Sequence, residues 1–173
     1  MLDYFTRLSD TLLNIDENLP ARVARMINAS GKVFVIGNGG SQTTADHFVC
    51  DLLKAVGVPA ISLSTLPLLT AYANDEGYDY IYTQQIKRLA TMGDLLVCVS
   101  TSGNSPNVVN AAEYARLSNM AVIGLTAFDG GRLAQICDIN IHINTDIIEI
   151  AEDAHMAFLH NVVKYMKDDT SGH

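Results

Sequence analysis

Five short apolar runs, "KVFVIG", "PAISLS", "DLLVCVS", "MAVIGL" and "DINIHI", recur along this chain, each parted from the next by a helix-length segment. No other feature constrains the fold as strongly. A sheet with one wet face alternates apolar and polar residues, whereas near-continuous apolar strands need cover on both faces. Such strands, alternating with helices, read as a parallel sheet between two helical layers. The expected fold is an α/β three-layer sandwich with a five-stranded parallel sheet flanked by helices.

Helices are expected from about Thr43 to Ala55, Ile81 to Thr91, Pro106 to Asn119 and Ile147 to Met166. Before the first strand, Leu2, Phe5, Leu8, Leu12 and Leu13 recur at three- and four-residue spacing. Leu19, Val23, Met26 and Ile27 restart the pattern, so two helices should meet near Pro20. No repeat or Pro/Ser-rich linker divides the chain. With 173 residues, 49% of them hydrophobic, one domain over 1–173 has enough apolar material for a core. Within it, 1–30 form a helical extension and the polar tail 168–173 should fray.

The formal net charge of −8 opposes a broad nucleic-acid-binding surface, which needs clustered Lys and Arg. It does not oppose a small phosphate held by backbone N–H groups and hydroxyls. No run approaches about 18 apolar residues and the N-terminal stretch has no basic region, so a cytoplasmic protein with no membrane contact is expected. Cys50, Cys98 and Cys137 are widely spaced, without a CxxC, and are expected reduced and mostly buried.

Two strand-end turns stand out, because ligands of open α/β sheets gather at the carboxyl ends of strands. In "GNGGS", Gly37 to Ser41, the glycines let backbone approach a ligand closely and Asn38 and Ser41 add polar side chains. Alone, this pattern fits a simple change of direction equally well. In "STSGNSP", Ser100, Thr101, Ser102 and Ser105 crowd the start of a helix with Ser105 as N-cap and Pro106 in the first turn. Hydroxyls at the positive end of a helix dipole suit a phosphate dianion better than an ordinary cap. Neither turn is a Walker loop or a GxGxxG fingerprint.

His47 and Asp51 lie four apart on an expected helix and share a face. Alone, such a pair reads as a surface polar contact; with Glu152 and His160 on the last helix it reads as a metal site. Imidazoles and carboxylates suit Zn²⁺, and Mn²⁺, Fe²⁺ or Ni²⁺ tolerate the same set. Eight residues of straight helix put about 12 Å between the backbones of Glu152 and His160. That spacing requires a bent helix or a site built from more than one subunit, with His155 the competing ligand if each chain acts alone. Cys50, three after His47, reads as a small buried hydrophobe.

The motifs "GNGGS", "DHF", "NDEGYD", "STSGNSPNVV", "GLTAFDGG" and "AEDAHMAFLH", in that order, resemble the sugar isomerase (SIS) domain. Within it the chain is most similar to phosphoheptose isomerases, which interconvert sedoheptulose 7-phosphate and D-glycero-heptose 7-phosphate through an enediol(ate). The resemblance implies that Ser100, Thr101, Ser102 and Ser105 bind phosphate, with Asn38, Gly39, Gly40 and Ser41 beside the sugar phosphate and Asp75 near the sugar. It implies His47, Asp51, Glu152 and His160 as metal ligands, and His160, Asp51 and Glu152 as the proton-transfer set. It also implies a homotetramer with the N-terminal helices at the interface. Asp51 stands where the family has a glutamate, Glu152 where it has a glutamine, and Ala55 where many members have an arginine. Two rival readings keep the same fold: a non-catalytic SIS scaffold and a phosphosugar sensor.

Overall fold

The computed structural model describes residues 3–171, and its elements follow the apolar rhythm of the sequence. Two helices open the chain, α1 (Tyr4–Leu13) and α2 (Leu19–Asn28), with Pro20 in the first turn of α2, where its missing N–H costs nothing. Then come β1 (Val33–Gly37), α3 (Gly40–Asp51), β2 (Ala60–Ser62), α4 (Leu66–Asp75) and α5 (Ile81–Leu89). The second half holds β3 (Leu95–Val99), α6 (Pro106–Leu117), β4 (Ala121–Thr126), α7 (Gly131–Ile136), β5 (Ile139–His142) and α8 (Ile148–Ser171).

All five strands pair in parallel, in the order β2-β1-β3-β4-β5. Every residue of β1 and β3 is buried, as near-continuous apolar strands require. One face packs Val33, Val35, Val97 and Leu125 against α2, α3 and α8; the other packs Phe34, Ile36, Leu96 and Val122 against α5 and α6. The expected three-layer sandwich is the observed one.

Several boundaries differ from the expectation. α3 starts at Gly40 rather than Thr43 and passes at Leu52–Val56 into a turn of π-helix, which ends at Gly57 with φ of 79°. α4 has no counterpart in the sequence reading: its core-facing Leu69, Tyr72 and Ala73 are only partly buried and are set among further apolar residues, Leu66, Pro67 and Leu68, that blur the stripe. α7 is a six-residue helix, too short to show a period. α8 runs past Met166 to Ser171, and 172–173 of the expected frayed tail lie outside the described residues. Cys50 is exposed, not buried: it shares the outer edge of α3 with His47 three residues before it. No helix of the described residues is long and apolar enough to cross a membrane.

His155 of α8 is fully buried, and its Nε2 lies 3.2 Å from the Thr126 carbonyl oxygen. A carbonyl can only accept, so Nε2 carries the proton and Nδ1 is left buried with no partner. Burial, with a smaller push from His142, lowers its pKa from 6.5 to about 4. The folded state keeps this ring neutral where the unfolded chain protonates it. Its stabilising effect is therefore complete above pH 6.5 and is lost as the pH falls toward 4. Between pH 7.5 and 5 this group alone is expected to remove about 2 kcal/mol of unfolding free energy. Urea titrations should show a shallower pH dependence in His155→Gln by that amount; parallel curves for the two proteins would exclude it.

Candidate active site

The strand order reverses direction between β1 and β3, and in open α/β sheets the crevice outside the carboxyl ends at such a point is where ligands sit. Register brings the two notable turns to that point. Gly37, the last residue of β1, pairs with Val99, the last of β3, so the turns beginning at Asn38 and Ser100 are side by side. Between them lies a cavity of about 190 Å³ lined by Asn38, Ser41, Ser100, Thr101, Ser102 and Ser105, with Phe128, Ile148 and Glu152 at its far wall. No lysine or arginine is among its described lining residues.

The serine loop is held from below. Gly103 N–H donates to the Ser100 carbonyl, Ala127 N–H to the Thr101 carbonyl, and Leu133 N–H to the Gly103 carbonyl, at 2.8–2.9 Å. Gly103 has φ of +63° and packs so closely that a Cβ there would overlap the Gly130 carbonyl oxygen. Within the loop, the Ser100 hydroxyl donates to the Ser105 hydroxyl at 3.4 Å and the Ser102 hydroxyl accepts from Asn104 N–H at 3.2 Å. Ser105 occupies the N-cap of α6 without making a side-chain cap bond, and the Thr101 hydroxyl is buried with no partner. An unpartnered buried hydroxyl is costly unless a ligand oxygen completes it. Larger depressions, such as one of about 360 Å³ between α1 and the segment following β5, lack such a hydroxyl cradle.

α3 and α8 run side by side in the same direction. Gly40, at the start of α3, abuts Glu152, whose Oε1 lies 2.5 Å from where a Cβ would stand. About two turns further along, His47 meets His160. Their Nε2 atoms are 3.3 Å apart, and Asp51 Oδ2 lies 3.6 Å from His47 Nε2 and 3.7 Å from His160 Nε2. Four ligands at the usual ~2.0–2.2 Å around a tetrahedral divalent ion are about 3.3–3.6 Å from one another, so this triangle fits three of the four corners. The rings are neither stacked nor coplanar, at 69°, and all three side chains are partly open to solvent. The donor set therefore fits a divalent ion with an open coordination position.

Three of the four expected metal ligands come together, and Glu152 does not join them. It faces the hydroxyl cavity instead, without a hydrogen-bond partner among the described residues. His155 is in the core. Asp75 ends α4, exposed, accepting a hydrogen bond from Asn74 at 2.7 Å, and is not among the cavity-lining residues. Gly39, with φ of 55°, and Gly40 are exposed at the head of α3.

Two buried groups that the sequence reading did not single out complete the site. Tyr82 donates its hydroxyl proton to the Gly37 carbonyl, and burial pushes its pKa upward, which keeps it a neutral donor. Asn107, 1% exposed, forms a reciprocal amide pair with Asn38. Tyr82 belongs to none of the quoted motifs, and Asn107 lies inside "STSGNSPNVV" but past its hydroxyl residues; the sequence signal of each is a polar group at the inward face of a helix.

A family model for the SIS domain matches residues 3–127. Phosphoheptose isomerase of Aliarcobacter butzleri is 39% identical over 146 residues, covering 81% of this chain and 77% of the relative. That of Rhodospirillum rubrum is 37% identical over 172 residues, covering 96% and 91%. The structure of a phosphoheptose isomerase from Francisella tularensis superposes with a TM-score of 0.90 at 30% identity, covering 95% of both chains. The hydroxyl cradle, the histidine/aspartate triangle and these similarities agree: the chain belongs to the SIS domain family, among the phosphoheptose isomerases.

Proposed function

We propose that this chain is an aldose–ketose isomerase that interconverts sedoheptulose 7-phosphate and D-glycero-heptose 7-phosphate. One observation carries the reading: a cation-free hydroxyl cradle at the switch point of the sheet, with the His47, Asp51 and His160 triangle on the same two helices. Ser100, Thr101, Ser102 and Ser105 bind the phosphate at the N-terminus of α6, and Ser41 and the backbone of Gly39 and Gly40 border it. Phosphate binding far from the reacting carbon fixes the sugar's orientation. Asp75 enters only through its place beside the sugar in the related proteins.

His47, Asp51 and His160 would hold a divalent ion, and Zn²⁺ suits them best. Such an ion, when bound, polarises the carbonyl or hydroxyl oxygen at the reacting end. The chain's own residues move the protons. His160 is the residue to which we assign proton exchange at the substrate oxygen. The carbon proton falls to a carboxylate. Asp51 is shared by two imidazoles, whereas Glu152 is unpaired in the cavity, which makes Glu152 the freer base.

Glu152 sits about 12 Å along α8 from His160 and does not reach its own triangle. A homotetramer, with Glu152 of one copy near the triangle of another, is our reading of this gap. The strongly exposed Phe5 and Leu13 of α1, 74% and 81% accessible, fit an interface there. Three free cysteines suit a reducing compartment, and we place the protein in the cytoplasm. The acidic surface argues against nucleic-acid partners.

Proton NMR of a panel of five- to eight-carbon ketose phosphates, in D₂O with and without chelator, tests the activity. Sedoheptulose 7-phosphate should be converted with uptake of solvent deuterium at the carbon beside the carbonyl. No conversion of any member of the panel would sink the assignment. Asp51→Asn, Glu152→Gln and His160→Ala should each lower kcat by at least about a hundredfold, the usual range for an acid–base group; if all three turn over normally, the proton-transfer scheme fails. His47→Ala and His160→Ala should also drop the metal content, measured by plasma mass spectrometry, from about one Zn²⁺ per chain to near none.

A further inference from the structure

Two asparagines join the turns that make the cavity. Asn38 Nδ2 donates to Asn107 Oδ1 and Asn107 Nδ2 donates to Asn38 Oδ1, each at 2.9 Å, closing an amide ring between the end of β1 and the start of α6. Its sense is set by the backbone. Val108 N–H donates to Asn107 Oδ1 at 3.0 Å, so that atom has to be the oxygen, and the amino group of Asn107 has to face Asn38. Asn38 must then show its oxygen to Asn107. Tyr78, whose hydroxyl is 3.2 Å from that same oxygen, donates to it from the other side. Tyr82 anchors the preceding carbonyl, Gly37.

This leaves one group unused. Asn38 Oδ1 is occupied and one Nδ2 proton is spent on Asn107, but the second has no partner among the described residues, and Asn38 lines the cavity. We propose that Asn107, which does not line the cavity, is a positioning residue: it holds the two turns in register and orients Asn38 so that an N–H, not an oxygen, faces the phosphosugar. The inference rests on the phosphosugar reading of the cavity. Where no lysine or arginine lines the site, the orientation of one amide decides whether an anionic oxygen meets a donor or a lone pair. Because Asn107 is 1% exposed, water does not replace a lost bond.

Asn107→Asp keeps the size and the acceptor for Val108 N–H, yet places an oxygen against Asn38 Oδ1, and Asn38 is expected to turn. Asn107→Ser keeps an acceptor near Val108 N–H and removes the amino donor. Titration with inorganic phosphate, followed by ³¹P NMR, should show both variants weakened about tenfold or more, the equivalent of one lost hydrogen bond. KM for the ketose phosphate should rise with kcat nearly constant and metal content unchanged. In the unmutated protein, one of the two Asn38 side-chain N–H signals should shift when phosphate is added, and the other should stay. Variants that bind phosphate within twofold of the parent, or Asn38 protons that shift equally or not at all, overturn the proposal. The phosphate arm is independent of turnover: a parent that binds phosphate but converts no sugar loses the isomerase reading alone, whereas one with no phosphate affinity loses both.

Discussion

The pairing of β1 with β3 governs the functional end of this molecule. Five consecutive pairs run from Val33 with Leu95 to Gly37 with Val99, and the strands stop at the same level. A slip of one residue would displace the turns by about 3.3 Å and send every side chain of one strand to the opposite layer. Both layers are apolar and filled, so that register is strongly specified. The cavity is thus a consequence of core packing before any polar residue enters the argument. Asn38 and Asn107 then join turns that the sheet has already brought together.

The same packing bears on how an acidic protein could offer the phosphate site proposed for this cavity. The field that would favour a phosphate there comes from backbone amides at the head of a helix and from hydroxyl dipoles, which act over a few ångströms, while Glu152 supplies a carboxylate at the far wall. The loop that carries them is rigid because Gly103 is wedged against Gly130 and because three of its carbonyls are bonded to neighbouring N–H groups. Rigid dipoles need no rearrangement on binding. A lysine would bring a flexible stem and a charge largely screened by salt.

Legibility in the sequence followed burial. Strands covered on both sides left continuous apolar runs, and helices with one buried stripe left a period, so the sheet, α2, α5 and α6 could be read. α4 could not, since its core-facing Leu69, Tyr72 and Ala73 follow the apolar run Leu66–Leu68 and show no clean period. The hydroxyl loop was visible because four small hydroxyl side chains in six positions are chemically unusual. Asn107 and Tyr82 were invisible for the opposite reason: one polar residue on an inward helix face looks like any other until the fold supplies its partner. The distance between Glu152 and His160 followed from helix rise alone, and the structure keeps them apart.

That separation shapes the chemistry. α3 and α8 run in the same direction, so their heads form one wall of the phosphate cavity while the triangle lies two turns down their flanks. Asp51 Oδ2 lies within 3.7 Å of both imidazoles, so the short aspartate side chain is enough to close the triangle. What so short a side chain lacks is reach beyond the triangle. A carboxylate that held a metal and could not extend past it would be a poor base, which is why the proposed scheme gives the carbon proton to Glu152. In that scheme Asp51 would hold the ion and Glu152, at the cavity wall, would take the carbon proton.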